Sequence, residues 1–377
     1  MSVYLDNAAT TKPCEPAVSA AFYAMIENFG NPSSLHRLGL NAELAIKDAR
    51  KSIAAAIVAA PECIFFTSGA TESNNMAIFG AAQCYGKRKK KIVTTTIEHP
   101  SVAEPIKCLE EQGFEVVRIA PNRSGKIDYQ EIIDAVDENT CLVSCMLVNN
   151  ENGYILPIKR AFTAIKRDFP ECITHCDCVQ GFLKIPIKST ELYADLISLS
   201  GHKVHAVKGV GAIFVKKGIR LAPLIRGGGQ EKGLRSGTES VPLICGFGAA
   251  VKALNVDFQQ AAKNSAAINA YLREKLSAIP EISINSDADS SSAYILNISA
   301  NGIRSEIMLH FLESKEVYVS SGSACSKGAK SSVLKEFGAN DKTLDSALRI
   351  SISRETTWSD IDTLAETLRE GLKTLQR

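Results

Sequence analysis

The 377 residues leave room for two or three domains at roughly 150 residues each, and for a sizeable core. Lys and Arg number 43 against 41 acidic residues, a net charge of +2 that gives no electrostatic reason to bind nucleic acid or an anionic membrane. With 45% apolar and 22% charged residues the composition is that of a globular protein, which excludes disorder on a large scale.

The start, MSVYLDNAATTKP, lacks a basic stretch followed by an apolar one, so no secretion signal is expected. The most apolar early run, Ile53 to Ala60, is far short of the roughly 20 residues a bilayer requires. Eleven cysteines are too sparse for a disulfide scaffold and read as reduced thiols, mostly small buried hydrophobes, in a cytoplasmic protein. From Cys63 to about Val215, short β-branched runs (CIFFTSG, KIVTTTIE, FEVVRIA, CLVSCMLV, CITHC, DLISLS, GAIFV) alternate with helix-like stretches. That alternation predicts a wound sheet with crossover helices in an α/β domain. The basic run KRKKK at 87–91 reads as a solvated turn before a strand. Apolar positions three or four apart between Asp257 and Ile279 predict a long amphipathic helix, where a second, smaller α+β domain begins. Its strands are read in ISIN, AYILNIS, VYVS and ALRISIS, with helices at about 304–314 and 360–375, the last opened by Ser359 as N-cap.

Three segments carry chemistry. In TSGATESNN (67–75) a strand ends in a small-residue turn, whose free N–H groups and Thr71 hydroxyl suit a phosphate at a helix N-terminus; an ordinary capped turn reads the same way. In ISLSGHKVHAVKGVG (197–211) Lys203 follows an apolar strand beside Ser200 and His202. A lysine losing proton affinity there would form a Schiff base with a carbonyl cofactor, which suggests pyridoxal phosphate; a surface lysine in a glycine-rich loop is the plainer alternative. In THCDCVQ (174–180) Asp177 could hold a pyridine nitrogen protonated, or be a turn residue. Cys172, His175, Cys176 and Cys178 raise a metal site, which the lack of a second paired ligand motif disfavours. No metal is expected.

Together these segments resemble the cysteine desulfurases of the NifS/IscS type, in the class V aminotransferase group. The resemblance runs through YLDNAATT, NPSSLH, SGATESNN, IEHPSV, VNNENG, SGHK, RGGGQEKGLRSGTES, SSGSACS and LRISISR, nearly end to end. It implies the pyridoxal-phosphate-dependent transferase fold of type I: a large α/β domain with a mostly parallel sheet (15–256) and a smaller α+β domain (1–14 and 257–377).

The resemblance also implies roles. Lys203 would join the cofactor, Asp177 would face the pyridine nitrogen, and His99 would stack on the ring, although a histidine before proline can equally be a helix-start residue. Gln180 and Asn150 match partners of the ring hydroxyl. Ala70, Thr71, Ser200 and His202 match the phosphate site, and Thr238 a phosphate ligand donated across a homodimer interface. Arg349 matches the arginine that grips the substrate carboxylate, with Asn150 near it, while Arg354 is read as an ion-pair residue. Cys325, among serines and glycines in SSGSACSKG, would take sulfur from L-cysteine as a persulfide, leaving alanine, and pass it to an acceptor protein for iron–sulfur cluster assembly, another thio-cofactor or tRNA thiolation. Selenocysteine lyase or aminotransferase activity is the enzymatic alternative, and a non-catalytic scaffold the remaining one. The chain departs from the usual pattern at His205-Ala206-Val207-Lys208-Gly209, which lacks a proline, and at Asn152.

Overall fold

The computed structural model describes residues 2–321 and 331–375. Seven strands form the central sheet: β1 (Ile64–Thr67), β2 (Lys91–Thr95), β3 (Glu115–Ile119), β4 (Thr140–Met146), β5 (Ile173–Asp177), β6 (Leu196–Ser200) and β7 (Gly211–Val215). Their spatial order is β1-β7-β6-β5-β4-β2-β3. All seven coincide with the apolar runs read from the sequence. The sheet is parallel except for β7, which runs antiparallel to both β1 and β6. The link from Ser200 to Gly211 holds only a short 3-10 turn, and a connection that short reverses the chain instead of crossing over.

Neighbouring residues within a strand face opposite sides. Ile92, Leu142, Leu196 and Ile213 pack with Met76, Ala77 and Ile78 of helix α3 (Ala70–Tyr85) and Val102 and Ile106 of α4 (Pro100–Glu111). Val93, Val143, Ile197 and Phe214 pack on the other face, against α2 (Arg37–Ala56), α5 (Ile158–Asp168) and α6 (Val241–Asn255). Burial on both faces is why these strands read as continuous apolar runs. Helix α1 (Glu15–Ile26) lies outside α6, and α2 meets α6 so closely that a Cβ on Gly248 would sit 2.5 Å from the Cα and Cβ of Ala49.

A separate apolar cluster joins the N-terminal residues Val3, Leu5 and Ala8 to the C-terminal third. It holds the antiparallel strands β8 (Ile282–Ile284), β9 (Ile295–Ala300) and β10 (Ala347–Ser351), with α7 (Phe258–Ser277), α8 (Ser305–Ser314) and α9 (Trp358–Leu375). Helix α9 starts one residue before Ser359. Its first turn is closed by Thr357, whose Oγ1 accepts from the Asp360 N–H at 3.2 Å while Asp360 Oδ2 accepts from the Thr357 N–H at 2.8 Å. Ser359 is therefore inside the helix, and this reciprocal cap replaces the expected one. Among the described residues no single helix is long and apolar enough to cross a membrane.

Candidate active site

The C-terminal ends of β1, β5 and β6 meet the N-termini of α3 and α4. Gly211, opening β7, lies between Thr67 of β1 and Ser200 of β6, and a Cβ on it would come within 2.7 Å of Gly69 Cα. That missing side chain lets the turn before α3 sit against the end of β6. A Cβ built on Gly69 meets nothing within 4 Å, so open space fronts the first turn of α3, where Ala70 and Thr71 stand. Ser200 closes β6 and His202 lies in the turn beyond it, its Nδ1 3.1 Å from Thr10 Oγ1. Burial, then the charges of Lys203, Lys208 and Lys184, depress the His202 pKa to about 4, so at neutral pH the ring is an uncharged donor. N–H groups at a helix N-terminus, two hydroxyls and an imidazole are a donor set suited to a phosphate.

Lys203 follows directly. Its Nζ donates to the carbonyls of Ala8 and Ala9, each at 2.6 Å, so the N-terminal segment crosses from the smaller cluster onto this lysine. The turn is held by Thr11, whose Oγ1 accepts from the His205 N–H at 2.7 Å; His205 has the left-handed backbone φ of 56°, uncommon for a residue with a side chain.

Facing this end, Asp177 closes β5 and is buried. Its Oδ1 accepts from the Val179 N–H at 3.0 Å and its Oδ2 from Asn74 Nδ2 at 2.8 Å. The same Asn74 amide donates to Ser101 Oγ at 2.8 Å, and Ser101 Oγ lies 2.8 Å from His99 Nδ1, which also accepts from the Ser101 N–H at 3.1 Å. Because that N–H can only donate, Nδ1 carries no proton and the neutral ring holds its hydrogen on Nε2. Burial lowers the His99 pKa, with Asp177 opposing and Lys203 adding to the shift. His99 is also the N-cap of α4, so the plain reading and the functional one describe the same residue. A hydrogen-bonded string Asp177–Asn74–Ser101–His99 thus joins a sheet end to two helix starts.

Arg349, on β10, is buried and reaches between the two apolar clusters: Nη1 donates to the Asn150 carbonyl and Nη2 to Asp6 Oδ1, each at 3.0 Å. Its Nε has no hydrogen-bond partner among the described residues, a buried donor suited to an incoming carboxylate. Arg354 donates to Asp257 Oδ1 at 2.6 Å, the ion-pair role read for it. Thr238 is exposed on a segment pinned at two points, by Arg50–Glu231 at 2.7 Å and by Arg235–Glu72 at 2.8 Å. Cys325 lies outside the described residues.

No group of three His, Cys, Asp or Glu residues among those described could hold a metal ion. His175 has both ring nitrogens engaged, with Ser144 Oγ at 2.8 Å and Ser198 Oγ at 3.0 Å, and burial takes its pKa down to about 3. Cys176 and Cys178 are buried with sulfurs 3.5 Å apart, and Cys172 is buried with its pKa pushed up to about 12, the surroundings of structural cysteines.

Residues 3–364 match the family model described as aminotransferase class-V. The chain belongs to the class-V aminotransferase family. Similar proteins include the cysteine desulfurase IscS of Methanosarcina thermophila, 37% identical over all of this chain and 93% of that protein, and IscS of Escherichia coli, 38% identical over all of this chain and 94% of that one. Among solved structures, a NifS-like protein superposes with a TM-score of 0.92 at 35% identity, over 100% of this chain and 99% of that one. SspA in complex with cysteine superposes at 0.82 with 33% identity, over 94% of this chain and 100% of the other.

Within this class-V aminotransferase the structure adds residues the sequence reading passed over. Asn74 and Ser101 bridge Asp177 to His99. Glu98 is buried, accepts from Thr95 Oγ1 at 2.6 Å and the Met146 N–H at 3.0 Å, and is raised to about 8 by burial. The available signal was polarity out of place: Asn74 on the apolar face shared with Ala70, Ala77, Ile78 and Ala81, and Glu98 ending the run KIVTTTI.

Proposed function

We propose that the chain is a pyridoxal-phosphate-dependent cysteine desulfurase that converts L-cysteine to L-alanine and moves the sulfur, through Cys325, to an acceptor protein. The observation that carries the reading is the opposition of Lys203 and Asp177 at neighbouring strand ends, beside the donor-lined turn of α3. The residues fit the cofactor. Ala70, Thr71, Ser200 and His202 would hold its phosphate, Lys203 its carbonyl carbon, Asp177 its pyridine nitrogen, His99 its ring face, and Gln180 and Asn150 its ring oxygen. When bound, the group supplies an electron sink for cleavage at the amino acid's β-carbon.

The protein's own contribution is positioning and proton placement. Asn74 and the Val179 N–H hold the two Asp177 oxygens. The Ser101 donors keep the His99 proton on Nε2. Arg349, fixed by Asp6 and the Asn150 carbonyl, orients the substrate carboxylate and so selects α-amino acids. Cys325 acts as the sulfur acceptor through its place in SSGSACS.

The reading includes a homodimer in the cytoplasm. Supporting the homodimer are exposed apolar side chains on α1, the following loop and α2: Phe22 and Tyr23, each 62% exposed, Val18 and Met25 near them, Phe29 in the loop and Leu44 on α2. Thr238 would cross that interface to the neighbouring phosphate site. The proposed division into domains 15–256 and 1–14 plus 257–377 is supported by the cluster confined to the second of these, although Val333 and Phe337 pack with the cluster of the central sheet.

Incubation with L-cysteine should yield alanine, with sulfide released when a dithiol reductant is added to reduce the persulfide, and Cys325→Ala should keep the cofactor while losing persulfide on the protein, read by mass spectrometry. Release of a keto acid without sulfide would favour transamination, and full sulfur transfer by Cys325→Ala would remove that residue's role.

A further inference from the structure

Lys184 has no part in the roles above. It lies in the turn after β5, buried at 8% exposure, and lines one cavity with Lys203, Thr11 and His205. Its Nζ donates to Gln180 Oε1 at 2.8 Å. At the other end of that amide, Gln180 Nε2 donates to the Ala8 carbonyl at 2.9 Å, the carbonyl that Lys203 Nζ also reaches. A backbone carbonyl can only accept, so the amide end facing Ala8 is Nε2 and the end facing Lys184 is Oε1.

A lysine in this position costs stability. Its pKa falls to about 7 through burial, then through the charges of Lys203 and Arg349, and its own charge in turn lowers His202 and His205. Filling space would be done as well by an aliphatic side chain. What the ammonium alone supplies is a donor that holds one end of Gln180.

We propose that Lys184 is a positioning residue: by occupying Gln180 Oε1 it helps lock the amide so that the Nε2 hydrogen not taken by the Ala8 carbonyl, and not the amide oxygen, faces the ring oxygen of the cofactor. The inference rests on the reading of Gln180 as a partner of that oxygen. A donor held against a phenolic oxygen favours its ionised form, whereas an amide held by the Ala8 carbonyl alone can turn, offer its oxygen and favour the neutral hydroxyl.

The test is the pH titration of the visible cofactor absorbance in the holoenzyme. Lys184→Met should raise the midpoint by about one unit, and Lys184→Arg, which keeps the donor, should restore it. In a Gln180→Ala background, Lys184→Met should cause no further shift, because the effect passes through the amide; loss of charge alone would still move it. A Lys184→Met enzyme that titrates as wild type, or a shift that persists in Gln180→Ala, overturns the inference. Should Lys184→Met not fold, Gln180→Glu, which pairs a carboxylate with Lys184 and removes the donor, must raise the midpoint, and an unmoved midpoint is equally fatal. Wild-type protein that takes up no pyridoxal phosphate would instead bring down the cofactor reading itself, so the two failures are distinguishable.

Discussion

Lys203 and Glu98 show how burial sets what a single side chain can do. Lys203 is held by two carbonyl oxygens, neither of which can neutralise it, so its amine is oriented without being locked in an ion pair with them. Lys203→Ala should leave the fold intact and remove the visible absorbance that survives desalting of wild-type protein with pyridoxal phosphate; a band of wild-type intensity would show that another amine holds the group. Glu98 keeps its proton up to about pH 8 when folded, against an ordinary value of 4.5. Between those two values the folded state binds more protons than the unfolded one, so stability is lost as pH rises through the window. In paired thermal melts, Glu98→Gln should gain on wild type steadily from acidic to alkaline pH. A difference independent of pH would mean that Glu98 is ionised in the fold.

At the scale of elements, the site depends on close approaches that only glycine permits. The α2–α6 crossing at Gly248 and Ala49 fixes α6 on one face of the sheet, and the contact of Gly211 with Gly69 fixes the start of α3. Gly248→Ala places a methyl where Ala49 already sits and should cost about 1–3 kcal/mol in urea unfolding, since the Cα and Cβ of Ala49 are fixed by the α2 backbone. Cofactor affinity should change little, because the crossing is on the face away from α3. The segment bearing Thr238 is tied by Arg50 and Glu231, a bidentate pair that also accepts the Phe66 N–H at 2.9 Å, so α2, β1 and this segment form one unit. Neutralising a single member of such a buried pair leaves the other charge unsolvated, which is why the segment is held firmly.

For the molecule as a whole, the homodimer proposed above would bury the exposed apolar side chains of α1 and α2; on that proposal Phe22→Asp should yield monomers in sedimentation, with weaker cofactor retention through loss of the Thr238 contact proposed across the interface. A variant that sediments with wild type would place the interface elsewhere. Acid should destabilise the fold as pH falls below the ordinary imidazole value of 6.5, since His175 and His202 stay neutral in the fold to about 3 and about 4 and take up protons on unfolding. The strands, the helices near 257–279, 304–314 and 360–375, and Lys203 and Asp177 as residues of interest were legible in the chain, with Arg349 through its motif, because apolar runs, helical spacing and short motifs are local patterns. Tertiary structure decided the rest. β7 runs antiparallel because the short link after β6 leaves no room for a crossover, and only the fold sets β1 on its other side. The string from Asp177 to His99 joins residues as far as 103 positions apart, and the Gln180 amide is gripped by Lys184 on its oxygen and by the carbonyl of Ala8, near the N-terminus, on one of its two N–H groups. Local sequence records what each segment prefers, whereas the partner of a buried polar atom is chosen by whatever the folded chain brings within hydrogen-bond reach.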